Sequence, residues 1–206
     1  MQTTARKNYR YLTQLALLTA IIILMSFTPL GFLTVGPLSI TFLMIPVAVG
    51  AIVMGPKAGL ILGLVFGLCS FLRGLMGTDA MGTLLIQINP FYAFLVCVVP
   101  RTLMGWLTGL IFKGLYRIDR TRLVSYAVAS LASALINTVF FMGSMTLLYY
   151  QTVLGFASES GLTLWPYLMG LIAVNCPVES GIAMVVGTAV SKILYRTLVE
   201  KRGAGA

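Results

Sequence analysis

A chain of 206 residues, 59% of them hydrophobic and 9% charged, with a mean hydropathy of +0.98, is built for a bilayer and leaves no length for a separate soluble domain. Its formal charge of +9 lies at the ends of apolar runs instead of along a soluble face, so the basic residues read as topology signals and nucleic acid is excluded as a partner. With no histidine present, the usual zinc, haem and Ser-His-Asp chemistries drop out, and no cofactor or metal site is expected.

In chain order, a short basic tail with Arg6, Lys7 and Arg10 precedes an apolar run too long for a signal-peptide core, which is expected to stay in place as the first span, 11–32. A turn at Thr34-Val35-Gly36-Pro37 leads to a second span, 38–54, and Gly55-Pro56-Lys57 breaks the chain before a third, 58–75. The polar connection Arg73 to Gly82, which holds Asp79, leads to a fourth span, 85–112. A basic loop then leads to a fifth span, 123–150, and the loop 151–163 to a sixth, 164–194. The sequence thus predicts an all-α membrane protein, a single domain of six transmembrane helices over 1–206.

Orientation follows from the basic residues. With the N-terminus inside, Arg6, Lys7, Arg10, Lys57, Lys113, Arg117, Arg120, Arg122, Lys192, Arg196, Lys201 and Arg202 all fall on the inner side. The outer side holds Arg73, and Arg101 lies within the fourth span. Both termini are therefore expected in the cytoplasm.

Four polar groups sit deep inside apolar runs. Glu179 lies about 15 residues into the sixth span, one helical turn after Asn175; Arg101 and Asn137 lie at similar depth in the fourth and fifth. Pro100, just before Arg101, removes a backbone donor and kinks the helix there. An ionisable group at such depth faces a protein interior or a water-filled cavity and has a partner. Two readings stay open: an Arg101–Glu179 ion pair that holds the bundle together, or a small-molecule site between these spans, reached from outside. Phe91, Tyr92, Tyr149, Tyr150 and Trp165 fall near the outer mouth, as a closing layer or as interface aromatics. Cys69, Cys97 and Cys176 sit in separate apolar runs and read as small buried hydrophobes. Spans one to three carry small residues instead: Gly55, Gly59, Gly63 and Gly67 step by four, and Ala16 and Ala20 form an AxxxA, patterns suited to close helix packing or to docking another membrane subunit.

The ordered set Ala16-Leu-Leu-Thr-Ala20, Ile40-Thr-Phe-Leu-Met-Ile-Pro46, Gly55-Pro-Lys-Ala-Gly59, Gly63-Leu-Val-Phe-Gly67, Pro100-Arg-Thr-Leu-Met-Gly105 and Asn137-Thr, within a small basic six-span chain, resembles the substrate-binding S component of an energy-coupling factor (ECF) vitamin transporter. The likeness covers nearly the whole chain and is greatest to the pantothenate-type members. It implies a subunit that captures a vitamin in its outward half and docks a transmembrane coupling subunit through Ala16 and Ala20. Two ABC ATPases would supply hydrolysis, and delivery would occur by reorientation in a bacterial or archaeal cell membrane. The chain lacks a G-x-x-x-x-G-K-[ST] phosphate loop, in keeping with a subunit that binds and does not hydrolyse. On this reading Arg101 is the cation for an anionic vitamin, with Asn89, Asn137, Asn175 and Glu179 as its polar partners. Riboflavin, cobalamin or another nutrient remains open as the cargo. So does a stand-alone proton-coupled transporter that uses Glu179 as its relay.

Overall fold

The structure, a computed structural model, describes residues 2–28, 31–35, 38–119 and 123–197. The expected turn residues Gly36 and Pro37, the loop residues Arg120 and Arg122, and the tail residues Lys201 and Arg202 lie outside the described residues. Among those described, the fold is a helical bundle with one short hairpin. Five helical segments are long and apolar enough to cross a membrane: Tyr9–Ser26, Pro56–Leu75, Pro90–Leu115, Leu123–Leu148 and Leu164–Tyr195.

Helix α1 (Gln2–Ser26) leads to strands β1 (Phe32–Val35) and β2 (Leu38–Thr41), which pair antiparallel with Phe32 opposite Thr41 and Val35 opposite Leu38. The fold is otherwise all helical as expected, and this small hairpin corrects the start of the second span. The two short runs, F-L-T-V and L-S-I-T, are rich in aromatic and β-branched residues and flank a Gly-Pro, so they pair as a hairpin. The helix that follows, α2 (Met44–Met54), has 11 residues, eight of them buried. At about 1.5 Å per residue it is too short to cross alone, and it packs as a core helix.

The Gly55-Pro56 break falls where the sequence places it. Gly55 takes φ 96°, a conformation that costs glycine little, and Pro56 opens α3 (Pro56–Leu75), where its missing N–H goes unneeded. The stepped glycines of α3 are internal. A Cβ on Gly59 would strike the Gly105 carbonyl, one on Gly63 the Arg101 carbonyl, and one on Gly67 the Val98 backbone. This is the close approach that small residues permit between membrane helices.

The expected fourth span divides in two. Helix α4 (Ala80–Ile88) ends at Asn89, and α5 (Pro90–Leu115) begins after it. The residue before a proline avoids the helical region, and Asn89 is extended at φ −156°, ψ 105°. Its side chain caps α5 by accepting from the Phe91 and Tyr92 N–H groups at 3.1 and 3.3 Å. Helix α6 (Leu123–Leu148) follows, and then, where a loop is expected, the short helix α7 (Tyr150–Glu159). The last rod comprises α8 (Leu164–Ile182), a π-helical stretch Ala183–Gly187 and α9 (Thr188–Tyr195). Three apolar clusters stack along the bundle: around Leu85, Val96, Met145 and Tyr149; around Ile22, Leu43, Leu62 and Met104; and around Phe112 and Tyr126. Between the first two lies the polar cavity.

Candidate functional site

The cavity is built around the kink in α5. Pro100 has no N–H for the carbonyl of Val96, four residues earlier, so that acceptor loses its helical partner. The next side chain supplies one: Arg101 Nη1 donates to the Val96 carbonyl at 2.7 Å. The guanidinium is thereby folded back along its own helix, with its Cζ 4.3 Å from the centre of the Phe141 ring and 5.7 Å from that of Phe66. Arg101 is 7% exposed, and its Nε has no hydrogen-bond partner among the described residues.

Helices α6 and α8 bring the other groups to the same cavity, whose volume is about 60 Å³. Asn137 is 5% exposed, Asn175 8% and Glu179 6%. The Oδ1 atoms of Asn137 and Asn175 are buried without a partner among the described residues. Glu179 Oε1 accepts from the backbone N–H of Thr41 at 2.8 Å, which ties α8 to the end of β2. Arg101 and Glu179 thus share a cavity, but no ion pair joins these two described residues: one side chain is turned to Val96, the other to Thr41.

Buried polar atoms are almost always paired, and one left unpaired costs about 1–3 kcal/mol. Three such atoms, Arg101 Nε and the Oδ1 atoms of Asn137 and Asn175, sit on residues lining one cavity and leave hydrogen-bonding capacity unused among the described residues. Residues 10–191 match the family described as the substrate-specific component of ECF transporters. The chain belongs to this family. It is 29% identical over 169 residues to the pantothenic acid transporter PanT of Lactococcus lactis subsp. cremoris, a match covering 78% of this chain and 80% of that protein. Across 208 aligned positions it is 28% identical to the pantothenate transporter PanT of Leuconostoc mesenteroides subsp. mesenteroides, covering 94% and 96% of the two chains. The family makes the chain a multi-pass membrane subunit that takes a small-molecule substrate and associates with the components of an ECF module.

In this S component the remaining sequence-predicted residues fall in three places. Asn89 is spent on the α5 cap and is not among the residues lining the Arg101 cavity. Its carbonyl accepts from the Tyr149 hydroxyl at 2.6 Å, and Tyr92 meets the Tyr149 ring edge-on at 6.2 Å, so two of the expected mouth aromatics brace the α4–α5 junction. Phe91, Tyr150 and Trp165 are exposed. Ala16 and Ala20 lie exposed on α1, while Leu15, Leu18 and Ile22 of the same helix pack into the core.

Other groups reach the cavity wall that the sequence did not assign to a site. Thr41 arrives from the hairpin, Ser70 from α3, Cys97 from α5 and Thr138 from α6. Asp79 caps α4, accepting from the Gly82 N–H at 3.1 Å, and also lines the cavity. An aspartate just before an apolar helical run is a helix-start signal, and Thr138 adjoins Asn137; Ser70 and Cys97 carry no signal of their own.

Proposed function

We propose that this S component captures pantothenate from outside the cell and delivers it by reorienting in a bacterial plasma membrane, in complex with a coupling subunit and two ABC ATPases that hydrolyse ATP. One observation carries the ligand assignment: a buried cation and two buried amides, each with an unpartnered polar atom, line one cavity together with a carboxylate. Pantothenate has a carboxylate for Arg101 and an amide and hydroxyls for Asn137, Asn175 and Glu179. Charge-assisted bonds of the first kind are about twice as strong as neutral ones. The names of both relatives support the same cargo.

A cavity of about 60 Å³ holds a few water molecules, so the wall yields when ligand enters. The change is small for a compact vitamin and large for riboflavin or cobalamin, and this favours the smaller cargo. The sixth crossing is assigned to β2 with α2. Four extended residues at about 3.3 Å and 11 helical ones at about 1.5 Å reach roughly 30 Å, the thickness of the hydrocarbon core. The basic bias then sets both termini in the cytoplasm. Exposed Ala16 and Ala20 give α1 a small-residue face for the coupling subunit.

The test is calorimetry on the detergent-purified chain with pantothenate, riboflavin, cobalamin, folate, biotin and thiamine. One tight, one-to-one response to pantothenate is the expected result. A response to a different vitamin alone, from protein that melts cooperatively, would reject the assignment.

A further inference from the structure

A second pocket, of about 310 Å³, lies at the other end of the bundle, where the α2–α3 turn meets the last turns of α5 and α9. Its volume is at the lower end of the range for small-molecule sites. Arg101 and Lys113 are 12 positions apart on α5, so the two sites are separated by about 18 Å along that helix. Phe112, Tyr116 and Tyr195 form its floor, with ring centres 5.1–5.4 Å apart, and Tyr126 braces Phe112 from behind at 5.1 Å. Lys113 and Arg117 are four residues apart, share one face of the chain and are exposed at its rim. Among the described residues, no acidic side chain lines the pocket. Asp119, the nearest in sequence, is turned to α6, where its Oδ2 accepts from the N–H and Oγ of Ser125 at 2.7 and 2.9 Å.

We infer that this pocket binds the phosphodiester headgroup of an anionic phospholipid. Its level in the membrane and its charge point there. Lys113 stands in the last turn of the membrane-spanning α5, where the apolar segment ends and headgroups begin. Further into the bilayer on the same face of α5, Trp106 and Leu110 are each 40% exposed, an apolar track for the acyl chain beneath the headgroup. The two cations meet the phosphate, and the aromatic floor packs against the glycerol and first methylenes. Basic pockets at helix ends retain anionic lipid on these terms.

The experiment compares the full chain with Lys113→Ala/Arg117→Ala, and with Arg10→Ala/Arg196→Ala, which removes the same charge outside the pocket. Phosphatidylglycerol retained through purification is counted by native mass spectrometry. Melting is recorded in phosphatidylcholine vesicles with and without phosphatidylglycerol. The expected result is a loss of at least about tenfold in retained phosphatidylglycerol, and of its stabilisation, in the pocket variant alone. Unchanged melting in phosphatidylcholine shows that the variant folds, and Lys113→Arg/Arg117→Lys, which keeps both charges, should restore retention. Three outcomes would overturn the assignment. Equal loss in the control pair would mean diffuse surface charge. Equal protection by free glycerol phosphate would mean a soluble anion. Wild-type lipid retention with failure to co-purify the coupling subunit would make the pocket a protein dock.

Discussion

In Arg101 one side chain serves both the helix and the cavity: Nη1 satisfies the carbonyl that Pro100 leaves, and Nε stays without a partner among the described residues, in the cavity that Asn137 and Asn175 also line. Arg101→Ala therefore removes a helix repair and the proposed carboxylate contact together. A charge-assisted contact contributes about 1.5–3 kcal/mol, so pantothenate binding by calorimetry should weaken roughly 10- to 100-fold. Arg101→Lys keeps the charge without the planar fork and should lose less. Equal loss of melting temperature in both, with affinity untouched, would leave Arg101 a purely structural role. Glu179 answers a different question. Glu179→Gln keeps an acceptor for the Thr41 N–H and removes the charge. ATP-driven uptake in proteoliposomes should then stay within a few-fold of the parent. Abolished uptake with intact binding would favour the proton-relay reading. All four deep polar residues were legible in sequence because ionisable and amide groups stand out inside apolar runs. Asp79 and Thr41 were not, because a loop and a hairpin bring them to the cavity only once the chain has folded.

Helices α3 and α5 meet backbone to backbone, with Gly63 against the carbonyl of Arg101 and Gly59 against Gly105. Backbone cannot rotate aside as a side chain can, so Gly63→Leu should destabilise by about 1–3 kcal/mol or more. Because it presses on the residue that carries the guanidinium, it should also weaken ligand binding. Gly114, where an added Cβ meets nothing within 4 Å, is the control: Gly114→Ala should melt at or slightly above the parent temperature. Melting of the two purified variants side by side checks the pair. The four-residue glycine step was readable as a close-packing face, but the partner helix was not, since hydropathy says nothing about which spans adjoin. Hydropathy also hid two boundaries. The L-S-I-T of β2 is as apolar as a helix start, and short apolar runs do not reveal their period. Apolar residues on both sides of Asn89-Pro90 masked a cap and a proline that together open a new helix.

For the molecule as a whole, α1 is the helix least covered by its neighbours. From Tyr9 onward only Ile22 and Ser26 are buried, while Leu12, Leu17, Ile21, Ile23 and Leu24 stand exposed with Ala16 and Ala20. In lipid those large side chains gain little from pairing with another apolar helix, so association depends on close packing. A pair of alanines one turn apart offers the place where a second backbone comes near. Ala16→Trp or Ala20→Trp fills that place with an indole while leaving the Arg101 cavity untouched, because neither alanine lines it. Co-purification with the coupling subunit and ATPases should therefore fall at least about tenfold, the scale of a contact worth 1.4 kcal/mol, with vitamin affinity unchanged. Ala16→Gly, which keeps the approach open, should assemble as the parent does. Full assembly of both tryptophan variants would move docking to another face of the bundle. Loss of ligand binding with normal assembly would mean that α1 supports the cavity and not the partner.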